Sequence, residues 1–354
     1  MVVTQPSRLL PALLLAGLIL APSPARGTLS LRDETLIKQA VQTMDRDEPG
    51  RDKRIFLAVN IRQSRLIAAT GGRAAWTEAA SPGSLAKIPL VWHLASRGRL
   101  DSGYAWRCTG RFFPRGEGSS ADELIHEDVE DPARGQYYKC SRLKGHGLVS
   151  LPEALSVSCN HAFINLHDRL DPSAWRDFCS ASGLTGSACL GELGPDPATG
   201  TLDIPACPRD RFLMPLGFGL RVTPAGVAAF FTSFFSGGTV RTLAPEGSGQ
   251  AGIRVGHVPL TPLARSSILQ GMRSAVQTGT AKGLGNPGFS LLAKTGSGLV
   301  DGEIFRMHGW CVAAHPAESP AVLFVSFVRE SYGGGPPLVA IRRVLQELRT
   351  SGFR

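Results

Sequence analysis

The chain is expected to fold as an α+β domain: an antiparallel sheet of about five strands flanked by helices, with a helical subdomain inserted between the N-terminal and C-terminal strands. Two observations predict this. Strand-like apolar runs lie only near the two ends, at 54–70 and 290–328. The long middle, about 100–285, is rich in Gly, Pro and helical patterning and carries no convincing strand series, so the sheet must be assembled from both ends of the chain.

Residues 1–27 read as an export signal. Arg8 supplies the positive region, Leu9 to Leu20 the apolar core, and Ser23-Pro24-Ala25 a small-x-small cleavage site. The apolar stretch is broken by Pro11 and falls short of the ~20 residues needed to span a bilayer. Cleavage is expected, with an uncleaved membrane tether as the alternative. The remaining domain, 28–354, opens with an amphipathic helix over Asp33 to Met44. Arg54 to Asn60 and Arg65 to Thr70 form a strand hairpin. Gly71-Gly72 and Ser81-Pro82-Gly83 punctuate the chain before a helix that starts at Ser84, is apolar on most faces from Ile88 to Ser96, and ends at Gly98. In the middle, Leu216-Gly-Phe-Gly-Leu leads through Thr223-Pro224 into an apolar helix, Ala225 to Phe235, closed by Gly237-Gly238. Strands return at Ser290 to Ala293 running into Lys294, at His308 to Ala314 and at Ala321 to Val328, and a last helix covers about Leu338 to Leu348.

With 354 residues and 43% hydrophobic content, the chain can bury a large core, and 19% charged residues argue against extended disorder. The net charge of +9 is carried by scattered residues. Without a basic run, a recognition helix or an aromatic stacking module, no nucleic-acid partner is expected. The charge suits an anionic polymer or membrane surface, or reflects a general preference for Arg. No G-x-S-x-G elbow, H-E-x-x-H helix or phosphate loop is present.

Three short motifs remain: Ser84-Leu-Ala-Lys87, Ser158-Cys159-Asn160 and Lys294-Thr295-Gly296. Each alone is weak, but their order is informative. Lysine usage adds weight, since only seven of the 38 Lys and Arg residues are Lys and two of the seven sit in the motifs. A desolvated Lys can lose its proton and act as a base, which Arg cannot do. Ser84 and Lys87 are nearly one helical turn apart and share a face.

In order and in flanking sequence these motifs resemble S-x-x-K, S-x-N and K-T-G of the serine β-lactamase and penicillin-binding protein superfamily, most closely the transpeptidase domain of class B type penicillin-binding proteins. The resemblance covers about residues 50–350. It implies Ser84 as acylated nucleophile, Lys87 as its base and Ser158 as proton relay. Asn160 would hold the substrate backbone, Lys294 would anchor charge, Thr295 and Ser297 would bind a terminal carboxylate, and Gly296 would clear the ligand's approach. The backbone N–H groups of Ser84 and Ser297 would form the anion hole. Family members often carry Thr where Ser297 stands. The implied partners are D-Ala-D-Ala stem peptides of peptidoglycan, with β-lactams as inhibitors. No cofactor is implied, and the implied location is the periplasm or outer cell envelope.

Cysteines in an exported chain can form disulfides, and Cys108 and Cys140, which flank an irregular polar loop, are the first choice for a bridge, which would contribute roughly 3 to 4 kcal/mol. The other five cysteines (159, 179, 189, 207 and 311) leave an odd thiol. A second bridge among Cys179, Cys189 and Cys207 cannot be paired from the sequence. No Cys-x-x-Cys or paired-His spacing accompanies them, so no metal site is expected, and His146 reads as a structural residue positioning the loop before the second motif. Two rival functions stay open: a secreted β-lactamase with a carboxylated Lys87, resembling class D enzymes, and a non-catalytic wall-binding or β-lactam-sensing protein. No E-x-x-x-N or Y-x-N segment supplies a deacylating base for the first.

Overall fold

The computed structural model describes residues 28–47, 50–112, 138–186, 200–206, 211–285, 288–300 and 306–353. The export-signal segment and two cysteines, Cys189 and Cys207, lie outside them.

Helix α1 (Leu31–Asp47) precedes a hairpin of β1 (Arg54–Asn60) and β2 (Arg65–Ala69). A single turn, α2 (Ala74–Thr77), leads to a 3-10 turn over Gly83–Ala86 that runs into α3 (Lys87–Ser96). The middle of the chain holds α4 (Leu151–Ser156), α5 (Asn160–Ile164), α6 (Pro172–Ala181), α7 (Pro224–Phe235) and α8 (Pro262–Gln277). The chain then returns through β11 (Leu292–Leu299), β12 (Met307–His315) and β13 (Val322–Val328), and ends in α9 (Pro336–Thr350).

The sheet has five strands in the order β11-β12-β13-β1-β2, each antiparallel to its neighbour. The two ends of the chain meet at β1 and β13, from Arg54 opposite Val328 to Asn60 opposite Val322. Both strands are buried along their whole length, so they read as continuous apolar runs rather than as alternating ones. Alternation still assigns the faces. Ile55, Leu57, Val59, Val325 and Phe327 join α3 and α7 in one core. Phe56, Ala58 and Phe324 join α1 and α9 in the other. The sheet is therefore the middle layer of three.

The apolar helix after Thr223 is buried on all sides, and the Thr223 hydroxyl caps it by accepting from Gly226 N at 3.1 Å. Its Phe230 and Phe234 surround Trp92 of α3, so the helix behind the first motif has no free face.

One expectation is refined. The middle is not purely helical, because it carries four two-stranded ribbons. These pair Ala105–Cys108 (β3) with Gly147–Ser150 (β6), Arg111–Phe112 (β4) with Tyr138–Lys139 (β5), Gly200–Leu202 (β7) with Leu220–Val222 (β8), and Thr239–Arg241 (β9) with Arg254–His257 (β10). Strands of two to four residues are too short for a period-two pattern to emerge from sequence. Among the described residues no helix is long and apolar enough to cross a membrane.

Candidate active site

The three motifs converge although they are far apart in sequence. Ser84 lies in the 3-10 turn that α3 continues and is half-buried, whereas Lys87, the first residue of α3, is fully buried. The turn is pressed between two backbones. Gly83 has φ +50, and a Cβ there would stand 1.9 Å from the carbonyl oxygen of Ser297. A Cβ on Gly217, in the Gly-Phe-Gly turn, would come within 2.9 Å of Gly83 O. Trp310 on β12 secures the approach to the turn by donating from Nε1 to Ser81 O at 2.9 Å.

Gly83→Ala is accordingly expected to cost about 1–3 kcal/mol in denaturant unfolding, from left-handed strain and backbone collision together. It should also abolish labelling of Ser84 by a fluorescent penicillin. Wild-type stability and labelling of this variant would show that the turn is not wedged.

Ser158 occupies the turn between α4 and α5 with φ 55, a left-handed conformation that a non-glycine residue adopts only at a cost. The reversal turns Ser158 and Asn160 toward Lys87, whose Nζ donates to Ser158 O at 2.8 Å, Ser158 Oγ at 3.3 Å and Asn160 Oδ1 at 2.8 Å. From the opposite side Lys294 Nζ, equally buried, donates to Ser158 Oγ at 2.9 Å and to Thr295 O at 2.8 Å. Two amines thus share one hydroxyl. Among the described residues neither has a carboxylate within ion-pair distance. Burial holds Lys87 down at about 8, and burial together with the nearby Lys87 charge holds Lys294 well below the usual lysine range. A lysine depressed to about 8, as Lys87 is, can give up its proton close to neutral pH. The Ser84 hydroxyl has no hydrogen-bond partner among the described residues.

On β11, the edge strand of the sheet, Thr295 Oγ1 lies 2.8 Å from Thr280 Oγ1. Thr280 N in turn donates to Ser156 O at 3.2 Å, tying the third motif to the helix before the second. Ser297 is exposed, and its hydroxyl accepts from Gly333 N at 3.0 Å. Gly296 has a packing reason for being glycine, since a Cβ there would stand 2.5 Å from Pro82 O. That contact alone is enough to demand a glycine at this position. Thr280 and Trp310 were not marked in the sequence, where nothing distinguishes a half-buried Thr or a buried Trp that touches the site from any other.

The cysteines require a correction. Cys108 and Cys140 do come together, but both are free thiols, as are Cys159, Cys179 and Cys311. Cys159, inside the second motif, points inward and lies with Cys108, Cys140 and His146 in one group whose donor atoms are all within 4.8 Å of one another. The expected bridge assumed two isolated partners. The fold gathers three sulfurs and an imidazole.

A sequence profile of the penicillin-binding protein transpeptidase domain matches residues 121–341, more than half of the chain and inclusive of the second and third motifs. No curated protein sequence matches. The transpeptidase domain of Burkholderia pseudomallei penicillin-binding protein 3 superposes with a TM-score of 0.71 at 15% identity, covering 94% of this chain and 98% of that one. Pseudomonas aeruginosa PBP2, solved with WCK 5153, gives 0.72 at 15% identity, covering 88% and 74%. Helicobacter pylori PBP2, solved with MreC, gives 0.70 at 13% identity, covering 90% and 63%. The fold is therefore that of penicillin-binding protein transpeptidase domains.

Proposed function

Given that this chain belongs to the penicillin-binding protein transpeptidase domain family, we propose that it is a serine D,D-transpeptidase or D,D-carboxypeptidase acting on D-Ala-D-Ala stem peptides of peptidoglycan in the cell envelope. The observation that carries this reading is the convergence of two buried lysines, from motifs at opposite ends of the domain, on the single hydroxyl of Ser158.

In the proposed reaction, Ser84 Oγ attacks the carbonyl of the penultimate residue while neutral Lys87 takes its proton. The backbone N–H groups of Ser84 and Ser297 face the developing oxyanion. Ser158, hydrogen-bonded to both amines, passes a proton to the departing D-Ala amine, whose bond to the carbonyl breaks. The acyl-Ser84 ester then goes to an acceptor amine or to water. Asn160 holds Lys87 through its Oδ1. Thr295 and Ser297 would receive the terminal carboxylate, with buried Lys294 behind them, and an extended peptide would lie along edge strand β11. No cofactor enters the sequence of steps. β-Lactams would enter as acylating mimics.

The test is the lifetime of the penicilloyl adduct. Mass spectrometry of purified protein is expected to show near-stoichiometric acylation that persists for minutes. Rapid multiple turnover of penicillin, enhanced by bicarbonate, would identify a β-lactamase with carboxylated Lys87 instead. The surroundings of Lys87 Nζ argue against that alternative: oxygens of Ser158 and Asn160 stand 2.8 to 3.3 Å from it and would repel a carbamate anion.

A pH dependence follows from the depressed Lys87. The neutral amine is the base, so the acylation rate should rise with pH through about 8 and level off above it. A lysine with its usual proton affinity would instead keep the rate climbing toward pH 10.5. Stopped-flow acylation by a chromogenic cephalosporin measures this, and a rate flat between pH 6 and pH 9, on the order of three decades of proton activity, would remove Lys87 as the base.

A further inference from the structure

Cys108 ends β3, Cys140 follows β5, His146 precedes β6 and Cys159 begins α5, so four separate segments deliver donors to one point. The sulfurs of Cys140 and Cys159 are 3.8 Å apart, and His146 Nδ1 lies 3.6 Å from Cys108 Sγ and 3.4 Å from Cys140 Sγ. A tetrahedral zinc ion with Zn–S of about 2.3 Å and Zn–N of about 2.05 Å places its ligands about 3.8 Å apart for sulfur pairs and about 3.6 Å apart for sulfur and nitrogen. These three of the six donor pairs match that geometry, and all four donor atoms lie within 4.8 Å of one another. The sulfur spacing does not match a disulfide, whose sulfurs stand at about 2.05 Å.

The surroundings are built to hold the group. All three cysteines are buried. Backbone N–H groups point at two of the sulfurs, Asn160 N at Cys140 Sγ (3.3 Å) and Ala162 N at Cys159 Sγ (3.4 Å). The loops carrying the donors interlock through two left-handed glycines. A Cβ on Gly110 would stand 2.1 Å from Leu143 O, and one on Gly145 would stand 2.1 Å from Cys108 O.

We propose that Cys108, Cys140, Cys159 and His146 form a closed structural Zn2+ site that holds the Ser158–Asn160 turn in its catalytic shape. Three soft thiolates and one imidazole select zinc over hard, oxygen-seeking cations. Each ligating cysteine releases its thiol proton to solvent, and with four protein ligands no open position remains for catalysis. The positioning follows from chain connectivity. Cys159 stands between Ser158 and Asn160, and Asn160 Nδ2 donates to Lys139 O at 3.2 Å, next to Cys140. An ion bonded to both cysteines fixes the two residues that orient Lys87. Zinc binding is independent of the acyl-transferase reading, whereas the positioning role rests on it.

The experiment uses the full purified chain, reduced and loaded with ZnCl2. Elemental analysis should give one zinc per chain, and Co2+ in its place should show the intense visible bands and thiolate charge-transfer absorption of a tetrahedral sulfur site. Cys140→Ser should lower zinc content by at least about tenfold, while Cys179→Ser, which alters a buried thiol outside the group, should keep it. Should Cys140→Ser not fold, chelator-treated wild type replaces it: zinc loss should lower its melting temperature and slow penicillin acylation by at least about tenfold, with zinc re-addition restoring both. Failure of the reduced protein to bind zinc or cobalt, or a disulfide among the three cysteines that persists with zinc present, overturns the site. Stoichiometric zinc whose removal leaves acylation unchanged overturns the positioning role. Stoichiometric zinc with no acylation by any penicillin leaves the metal site standing and removes the acyl-transferase reading.

Discussion

Ser84→Ala is expected to abolish covalent labelling by fluorescent penicillin, with a loss of at least about a thousandfold in acylation rate, because no other group can form the ester. The fold should survive. Ser84 is half-buried and its hydroxyl has no hydrogen-bond partner among the described residues, so removing one oxygen should change stability by no more than about 0.5 kcal/mol. Unchanged thermal unfolding with absent labelling would therefore report chemistry rather than collapse. Labelling retained at wild-type level in this variant would transfer the nucleophile to another residue, which peptide mapping of the adduct would locate.

The second large effect concerns the two lysines. From sequence alone, Arg at position 294 should be milder than Arg at position 87, since a charge suffices near a carboxylate but a base must lose its proton. Burial changes half of that expectation. Lys294 is enclosed, with its amine divided between Ser158 Oγ and Thr295 O, and burial already opposes its charge. A guanidinium there adds volume and a permanent charge to a closed site, so Lys294→Arg should lose about 1–3 kcal/mol of stability and slow acylation by about ten- to a hundredfold. Lys87→Arg should slow acylation by at least about a thousandfold. The pH profile separates the roles: the rise through about 8 should vanish in Lys87→Arg and remain in Lys294→Arg. Retention of that rise in Lys87→Arg would assign the titration to another group.

Much of the molecule was legible in the sequence because its signals are local. The hairpin at 54–70, the three C-terminal strands, the final helix and the Thr223-capped helix are each specified by a contiguous apolar pattern with its own turn or cap, and the observed elements agree to within two residues, except that β11 runs on through the third motif to Leu299 where the apolar run ends at Ala293. The short ribbons of the middle region carry no such pattern. They form because distant segments are brought side by side.

The sequence by itself determined which residues could do chemistry. The order of its three short motifs resembles S-x-x-K, S-x-N and K-T-G, and that resemblance is what singles out Ser84, Lys87 and Ser158 as candidate nucleophile, base and relay. What only the tertiary structure decided is what those groups meet. Burial, with no carboxylate in ion-pair reach among the described residues, lowers the proton affinity of both lysines, and a left-handed Ser158 sets one hydroxyl between them. The Ser84 turn packs flush on β11, which makes Gly83 and Gly296 obligatory. Cys108, Cys140, His146 and Cys159 looked like one disulfide, a structural histidine and a spare thiol because spacing along a chain says nothing about four loops that fold onto the same point. Donor geometry is a property of distances through space, and the ribbons that set those distances left no trace in the pattern of the chain.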